Sequence, residues 1–112
     1  MRRGEVWWAE LPAPAGRRPV LLLSRDEAYE VRALVTVAPI TTRIRNIPVE
    51  VRLNPADGIP RESVVNLDTL TTIPKDVLKE RLATLSESRM RDVNRALGFA
   101  LGRSCEARPL LY

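Results

Sequence analysis

Four consecutive apolar residues, Val20-Leu21-Leu22-Leu23, follow a doubled arginine and a proline, and no other stretch constrains this chain as much. The run has the length of a strand and no polar position, so it reads as a strand buried on both faces. Pro19 suits the entry to such a strand, because proline has no N–H to donate and its ring fixes φ. Arg18 then stands at the strand's mouth, on rigid backbone, beside a surface loop running from Pro12 to Gly16. A cation held in that way is the beginning of an anion site.

The rest of the chain supplies further strands and one helix. Gly4–Leu11 carries two tryptophans with branched neighbours and reads as a first strand. Trp7 and Trp8 fall on opposite faces of it; core is the first reading for both, with dimer contact or base stacking as the others. Arg25–Glu30 is a loop or one helical turn, and Ala33–Ala38 is a third buried strand. Pro39 is expected to stop normal pairing, leaving Ile40-Thr41-Thr42-Arg43-Ile44-Arg45 as a polar, basic segment beyond it. Ile47–Leu53 alternates, with Val49, Val51 and Leu53 inward and Glu50 and Arg52 outward. Glu62–Asp68 is a strand whose extended composition continues to Ile73, and Arg81–Leu85 is the last strand. Ser86 has the character of an N-cap. Met90, Val93, Leu97, Ala100 and Leu101 then recur at helical spacing, with Arg89, Arg91 and Arg95 on a solvated face and Gly102 as the stop. Short strands separated by turn signals and followed by one amphipathic helix predict a mostly β fold with α, a small β-barrel. The 112 residues make one domain over 1–102, with a loose tail over 103–112.

Composition removes several chemistries. There is no histidine, which excludes Ser-His-Asp and Cys-His arrangements and imidazole-based zinc sites. The single cysteine, Cys105, cannot form an internal disulfide, and the 14 acids are scattered, so neither a metal nor another cofactor is expected. The longest apolar run is far too short to span a membrane, and no basic-plus-apolar leader precedes the first strand; a cytoplasmic location is the expectation. The net charge is +4, and the basic set holds 16 arginines against two lysines. Arginine's planar fork matches phosphate oxygens in pairs, which fits a nucleic-acid partner; ordinary solvated surface charge is the simpler account of the same numbers.

Several stretches in order then resemble one family. Arg3-Gly4-Glu5-Val6-Trp7, Arg18-Pro19-Val20-Leu21-Leu22-Leu23-Ser24, Ala38-Pro39-Ile40-Thr41, Ser63-Val64-Val65-Asn66-Leu67-Asp68 and the closing helix are together similar to the MazF/PemK (Kid-like) toxins of type II toxin–antitoxin pairs. The resemblance implies an SH3-like barrel with a C-terminal helix that works as a homodimer. It also implies a metal-independent, sequence-selective endoribonuclease on single-stranded RNA, whose 2′-hydroxyl attacks the adjacent phosphate to leave a 2′,3′-cyclic phosphate and a 5′-hydroxyl. On that basis Arg18 is the catalytic arginine and Thr41 the catalytic hydroxyl. An acidic, MazE-like antitoxin is the implied protein partner. Arg17, Arg43 and Arg45 are candidates for the RNA backbone, while Thr42 beside Thr41, and Asp68 with Thr69 where the family usually has Asp-Gln, are candidates for lining the RNA site. The loop Pro12-Ala13-Pro14-Ala15-Gly16 is short and has no carboxylate, so the general base is left unassigned. Two other readings stay open: a non-catalytic SH3-like binding module, and a gyrase-poisoning toxin of the CcdB type.

Overall fold

The computed structural model describes residues 1–103; the expectation of a loose tail falls, beyond Arg103, outside the described residues. In order, the chain forms β1 (Glu5–Glu10), β2 (Arg17–Leu22), α1 (Ala28–Val31), β3 (Leu34–Thr41), β4 (Glu50–Leu53), β5 (Ser63–Asn66), β6 (Thr71–Pro74), β7 (Leu78–Thr84) and α2 (Glu87–Ala100). All pairings are antiparallel, in the order β4-β5-β3-β2-β1-β7, with β6 beside the first half of β3. The fold is thus mostly antiparallel β with a C-terminal helix. The path ends at β4 and at β7, so among the described residues the sheet is open where a closed barrel was expected.

The apolar run behaves as its composition demands. Leu21 and Leu23 enter one core cluster with Val6, Ala38, Ile40, Val51, Leu53, Val65 and Leu67, against which α2 packs Val93 and Ala96. Val20 and Leu22 enter a second cluster with Ala9, Tyr29, Val35, Val37, Ile73 and Leu78. Successive residues of β2 therefore bury on opposite faces, and β2 and β3 divide two apolar layers. The alternation read in β4 holds for Val49, Val51 and Leu53, which are buried, and for Arg52, which is exposed, but not for Glu50: its side chain is only 2% exposed, because Oε1 accepts the Arg45 and Asn46 amides at 2.9 and 3.0 Å.

Several boundaries differ from the sequence reading for physical reasons. β3 runs through Pro39 to Thr41 and does not stop before it. Its ladder with β2 ends at the Val20–Pro39 pair, and Ile40 and Thr41 pair instead with Val65 and Val64 of β5. The next hydrogen-bonded pair would set Pro19 against Ile40, and Pro19 has no N–H to give β3, so this ladder ends while the strand changes partner. Asp68 and Thr69 are not extended: Asn66 Oδ1 accepts the Asp68 amide at 2.9 Å, folding a turn before β6. In α2, Ser86 caps as read, its hydroxyl accepting from the Arg89 amide at 3.1 Å, and Gly102 (φ +71°) follows the end. Leu101, however, is 65% exposed, since the helix has already ended at Ala100. Arg89 is not on a solvated face: its Nε and Nη2 each lie 3.2 Å from the Asp57 carboxylate, a two-bond clamp joining α2 to the turn after β4.

Glu5 is the acid that ties β1 to its surroundings. It is 7% exposed; its Oε1 accepts from Trp7 Nε1 at 2.9 Å and from the Arg2 amide at 3.1 Å, and Oε2 lies 3.5 Å from Arg81. Burial pushes its pKa up, but the Trp7 and Arg2 hydrogen bonds, the chain's amino group and Arg81 outweigh that and hold the carboxyl below its usual value. A depressed folded-state pKa stabilises above the unfolded value and is lost as pH falls through the folded one. Glu5→Gln is therefore expected to cost about 1–2 kcal/mol near neutral pH, with the difference from wild type shrinking below about pH 4. Thermal melts of both proteins across that range check it; a pH-independent difference would show that the carboxylate's charge is not what matters.

Candidate active site

The point where β2 and β3 part is also where the polar residues gather. Extending the Val20–Pro39 register by two residues sets Arg18 opposite Thr41. Pro19, the next position of β2 to face β3, cannot donate a backbone hydrogen bond, so the strands are not drawn together beyond that pair. The resulting cleft has a volume of about 410 Å³ and is lined by Arg17, Arg18 and Pro19 from β2, Trp8 from β1, and Ile40, Thr41 and Thr42 at the end of β3. Its remaining wall comes from Ala15 of the β1–β2 loop and from Ile59, Pro60, Arg61 and Ser63 ahead of and at the start of β5.

Each polar group is held by a neighbour that leaves its working atoms available. Arg18 Nε donates to the Ala15 carbonyl at 2.8 Å, which fixes the guanidinium while its two terminal nitrogens remain for a ligand. The loop that holds it is itself closed by the Leu11 amide donating to Gly16 O at 3.0 Å. Thr41 Oγ1 accepts from the Arg43 amide at 3.1 Å, so the oxygen is positioned and its O–H is left to donate. Strand alternation separates the two adjacent arginines: Arg18 follows Val20 and Leu22, whereas Arg17 follows Pro19 and Leu21 and lies over the Trp8 ring, 4.8 Å from its centroid.

The sequence-derived set divides accordingly. The cleft brings together Arg17, Arg18, Thr41 and Thr42. Arg43, Arg45, Asp68 and Thr69 lie outside its lining, and Arg45 is committed elsewhere, with Nε 3.4 Å from Glu50 Oε2. Sequence reasoning missed Arg61, which lines the cleft and makes no ion pair among the described residues. A signal was available, since Pro60-Arg61 stands before the buried strand Ser63–Asn66 much as Arg18-Pro19 stands before Val20–Leu23. No acidic side chain among the described residues lines the cleft. A larger groove of about 880 Å³ lies between β4 and α2, but it lacks this convergence of a fixed guanidinium with a fixed hydroxyl.

The chain thus pairs an open antiparallel β-sheet and a C-terminal helix with a cationic, hydroxyl-bearing cleft at a strand divergence. Residues 2–101 match the family model for the PemK-like, MazF-like toxin of type II toxin–antitoxin systems, and the chain belongs to that family. It is 49% identical over 100 residues to the probable endoribonuclease MazF5 of Mycobacterium tuberculosis, covering 88% of this chain and 91% of that one. Among solved structures it resembles Mycobacterium tuberculosis toxin MazF-mt6, with TM-score 0.81 and 34% identity over 88% of this chain and 96% of the other. It also resembles an endoribonuclease in complex with its cognate antitoxin from a mycobacterial species, with TM-score 0.84 and 31% identity over 97% and 99% of the two chains.

Gly58 governs the loop that brings Arg61 to the cleft. Its φ is +91°, and a Cβ there would sit 2.9 Å from Ala83 Cβ of β7. Gly58→Ala is expected to destabilise by about 2–4 kcal/mol, the sum of left-handed strain and overpacking. Adding Ala83→Gly should return only the overpacking part. Denaturant unfolding of the single and double variants checks this, and full recovery in the double variant would remove backbone strain from the account.

Proposed function

We propose that this chain is the toxin half of a type II toxin–antitoxin pair, an endoribonuclease that cleaves single-stranded RNA without a metal. The observation that carries the mechanism is the meeting of Arg18 and Thr41 across one cleft, each already tethered by a backbone group. The attacking group is the RNA's own 2′-hydroxyl, and the products carry 2′,3′-cyclic phosphate and 5′-hydroxyl ends. As the phosphorane forms, negative charge grows on its oxygens; Arg18 grips two of them with its terminal nitrogens. Thr41 donates its hydroxyl hydrogen to the same phosphate and fixes its orientation. Arg61 and Arg17 hold the flanking backbone, contributing affinity without sequence choice, while Arg43, Arg45, Asp68 and Thr69 belong to the outer path of the strand. With no carboxylate in the lining among the described residues, the 2′-hydroxyl proton passes to a phosphate oxygen or to water, the departing 5′-oxygen takes up a proton from that same phosphate oxygen or water to leave as the 5′-hydroxyl, and the site accelerates the reaction through charge stabilisation and alignment.

The wider reading follows the family. The unit that works is residues 1–102 as a homodimer in the cytoplasm, its sheet an SH3-like barrel of the partly open kind; the support for the barrel is β3, which pairs with β2, β6 and β5 and so links both parts of the sheet. An acidic antitoxin segment lies on the cleft and covers Arg18.

A single cleavage assay with chelator present tests the mechanism. The substrates are a single-stranded RNA and the same strand with a 2′-deoxy sugar at the mapped cut. Wild type is expected to cut the first only. Arg18→Ala should lose at least about 100-fold and Thr41→Ala about 10- to 100-fold, as for removal of a transition-state donor. Cutting of the deoxy-blocked bond, or near-wild-type rates from Arg18→Ala, would overturn the assignment.

A further inference from the structure

The two adjacent tryptophans have different fates. Trp7 donates its indole N–H to Glu5 at 2.9 Å and packs against the second core cluster, as a structural residue does. Trp8 lines the cleft, and its indole N–H has no hydrogen-bond partner among the described residues. Its cross-strand partner is Pro19, the residue next to Arg18, so the ring adjoins the phosphate site through the backbone itself.

What covers Trp8 is removable. The Arg17 guanidinium lies over the ring at 4.8 Å from its centroid, and its other contact is with Glu80 at 3.4 Å. The side chains of Arg17 and Glu80 are 50% and 66% exposed, and an ion pair so exposed is weak and screened by salt. A planar cation resting on an indole face shows that the face is open to another flat, electron-poor group. A nucleobase has that shape, and aromatic side chains beside a cationic groove are how single strands are held with little sequence preference.

Resting on the reading of the cleft as an RNA site, we propose that Trp8 is the stacking platform for the nucleobase adjoining the phosphate held by Arg18 and Thr41, and that Arg17 is its movable cover. In the free protein Arg17 occupies the ring face. On binding it lifts from Glu80 and closes on the outer face of the base or its phosphate, so one nucleotide is gripped by ring and guanidinium together. Stacking restricts the sugar next to the reacting bond and adds affinity shared by all four bases, leaving sequence choice to other contacts.

The chain has only two tryptophans, so each can be observed alone. Trp7→Phe leaves Trp8 as the sole emitter and Trp8→Phe leaves Trp7. Each is titrated with a random-sequence single-stranded DNA decamer, which has no 2′-hydroxyl and stays intact whatever the chain's activity. Saturable quenching is expected in Trp7→Phe and none in Trp8→Phe. Trp8→Leu should bind the decamer about tenfold more weakly than wild type, while Trp8→Phe, which keeps a ring, stays within about threefold. Quenching confined to Trp7, or wild-type affinity from a folded Trp8→Leu, would overturn the platform. RNA cleavage by wild type is scored separately. Stacking without cleavage keeps the platform and removes the nuclease; cleavage with unchanged Trp8→Leu binding does the reverse.

Discussion

The fold and the cleft both depend on one missing hydrogen-bond donor. The β2–β3 ladder ends at the Val20–Pro39 pair, since the next position of β2 to face β3 is Pro19, opposite Ile40, and it has no N–H to give. β3 nonetheless goes on for two residues by transferring to β5. β3 is thereby shared between two parts of the sheet, and the space between the departing strands is the cleft. Had residue 19 carried an N–H, continued pairing would draw Arg18 and Thr41 into the ladder as surface neighbours. As it is, both face a concavity from rigid backbone, and rigidity is what allows a donor to be aimed at a charge that develops only during reaction.

Holding that geometry requires that nothing around it drift. β2 and β3 are buried on both faces, so each is fixed by two apolar clusters and not by one. The third wall of the cleft hangs from a longer tether: Asp57 is clamped to Arg89 of α2, Gly58 lies close against Ala83, and the Ser63 hydroxyl donates to the Arg61 carbonyl at 2.9 Å. The C-terminal helix is thus more than a lid on the core. Through Arg89 it sets the path of the segment that carries Arg61, so packing remote from the cleft controls one of its cations.

How much of this the sequence disclosed follows from the range of the interactions involved. The strand Val20–Leu23, the alternation of Val49, Val51 and Leu53, and the Ser86 cap are local patterns, and each appears where composition places it. Arg18 could be placed at a strand mouth from Arg18-Pro19 before the apolar run, whereas Thr41 was singled out only through the family resemblance. Arg89 looked like any solvated arginine on a helix face, since its partner Asp57 is 32 residues away. Leu101 fitted the helical period but lies past the helix end, where period no longer dictates burial. The parity of β1 put Trp7 and Trp8 on opposite faces, yet which of them lines the cleft depends on strand neighbours that only the assembled sheet supplies. Arg61 escaped notice because its importance comes from where its loop lies.

Charge is partitioned with the same economy. Three acids flanking the segments around the cleft are paired away from it: Glu62 with Arg52 at 2.7 Å, Asp57 with Arg89 at 3.2 Å, and Glu50 with Arg45 at 3.4 Å. Glu80 touches Arg17 only at the rim, through two exposed side chains. What remains inside is cationic and hydroxylic, an environment suited to an anion and poor at removing a proton. On the mechanism proposed above, such a site gains most at the transition state, where phosphate charge is greatest, and gains little from the neutral hydroxyl that attacks. The same composition means that a polyanion of another kind competes for it. On the reading proposed here, restraint by an acidic partner needs no separate device, because the property that grips the reacting phosphate is the one that a masking carboxylate exploits.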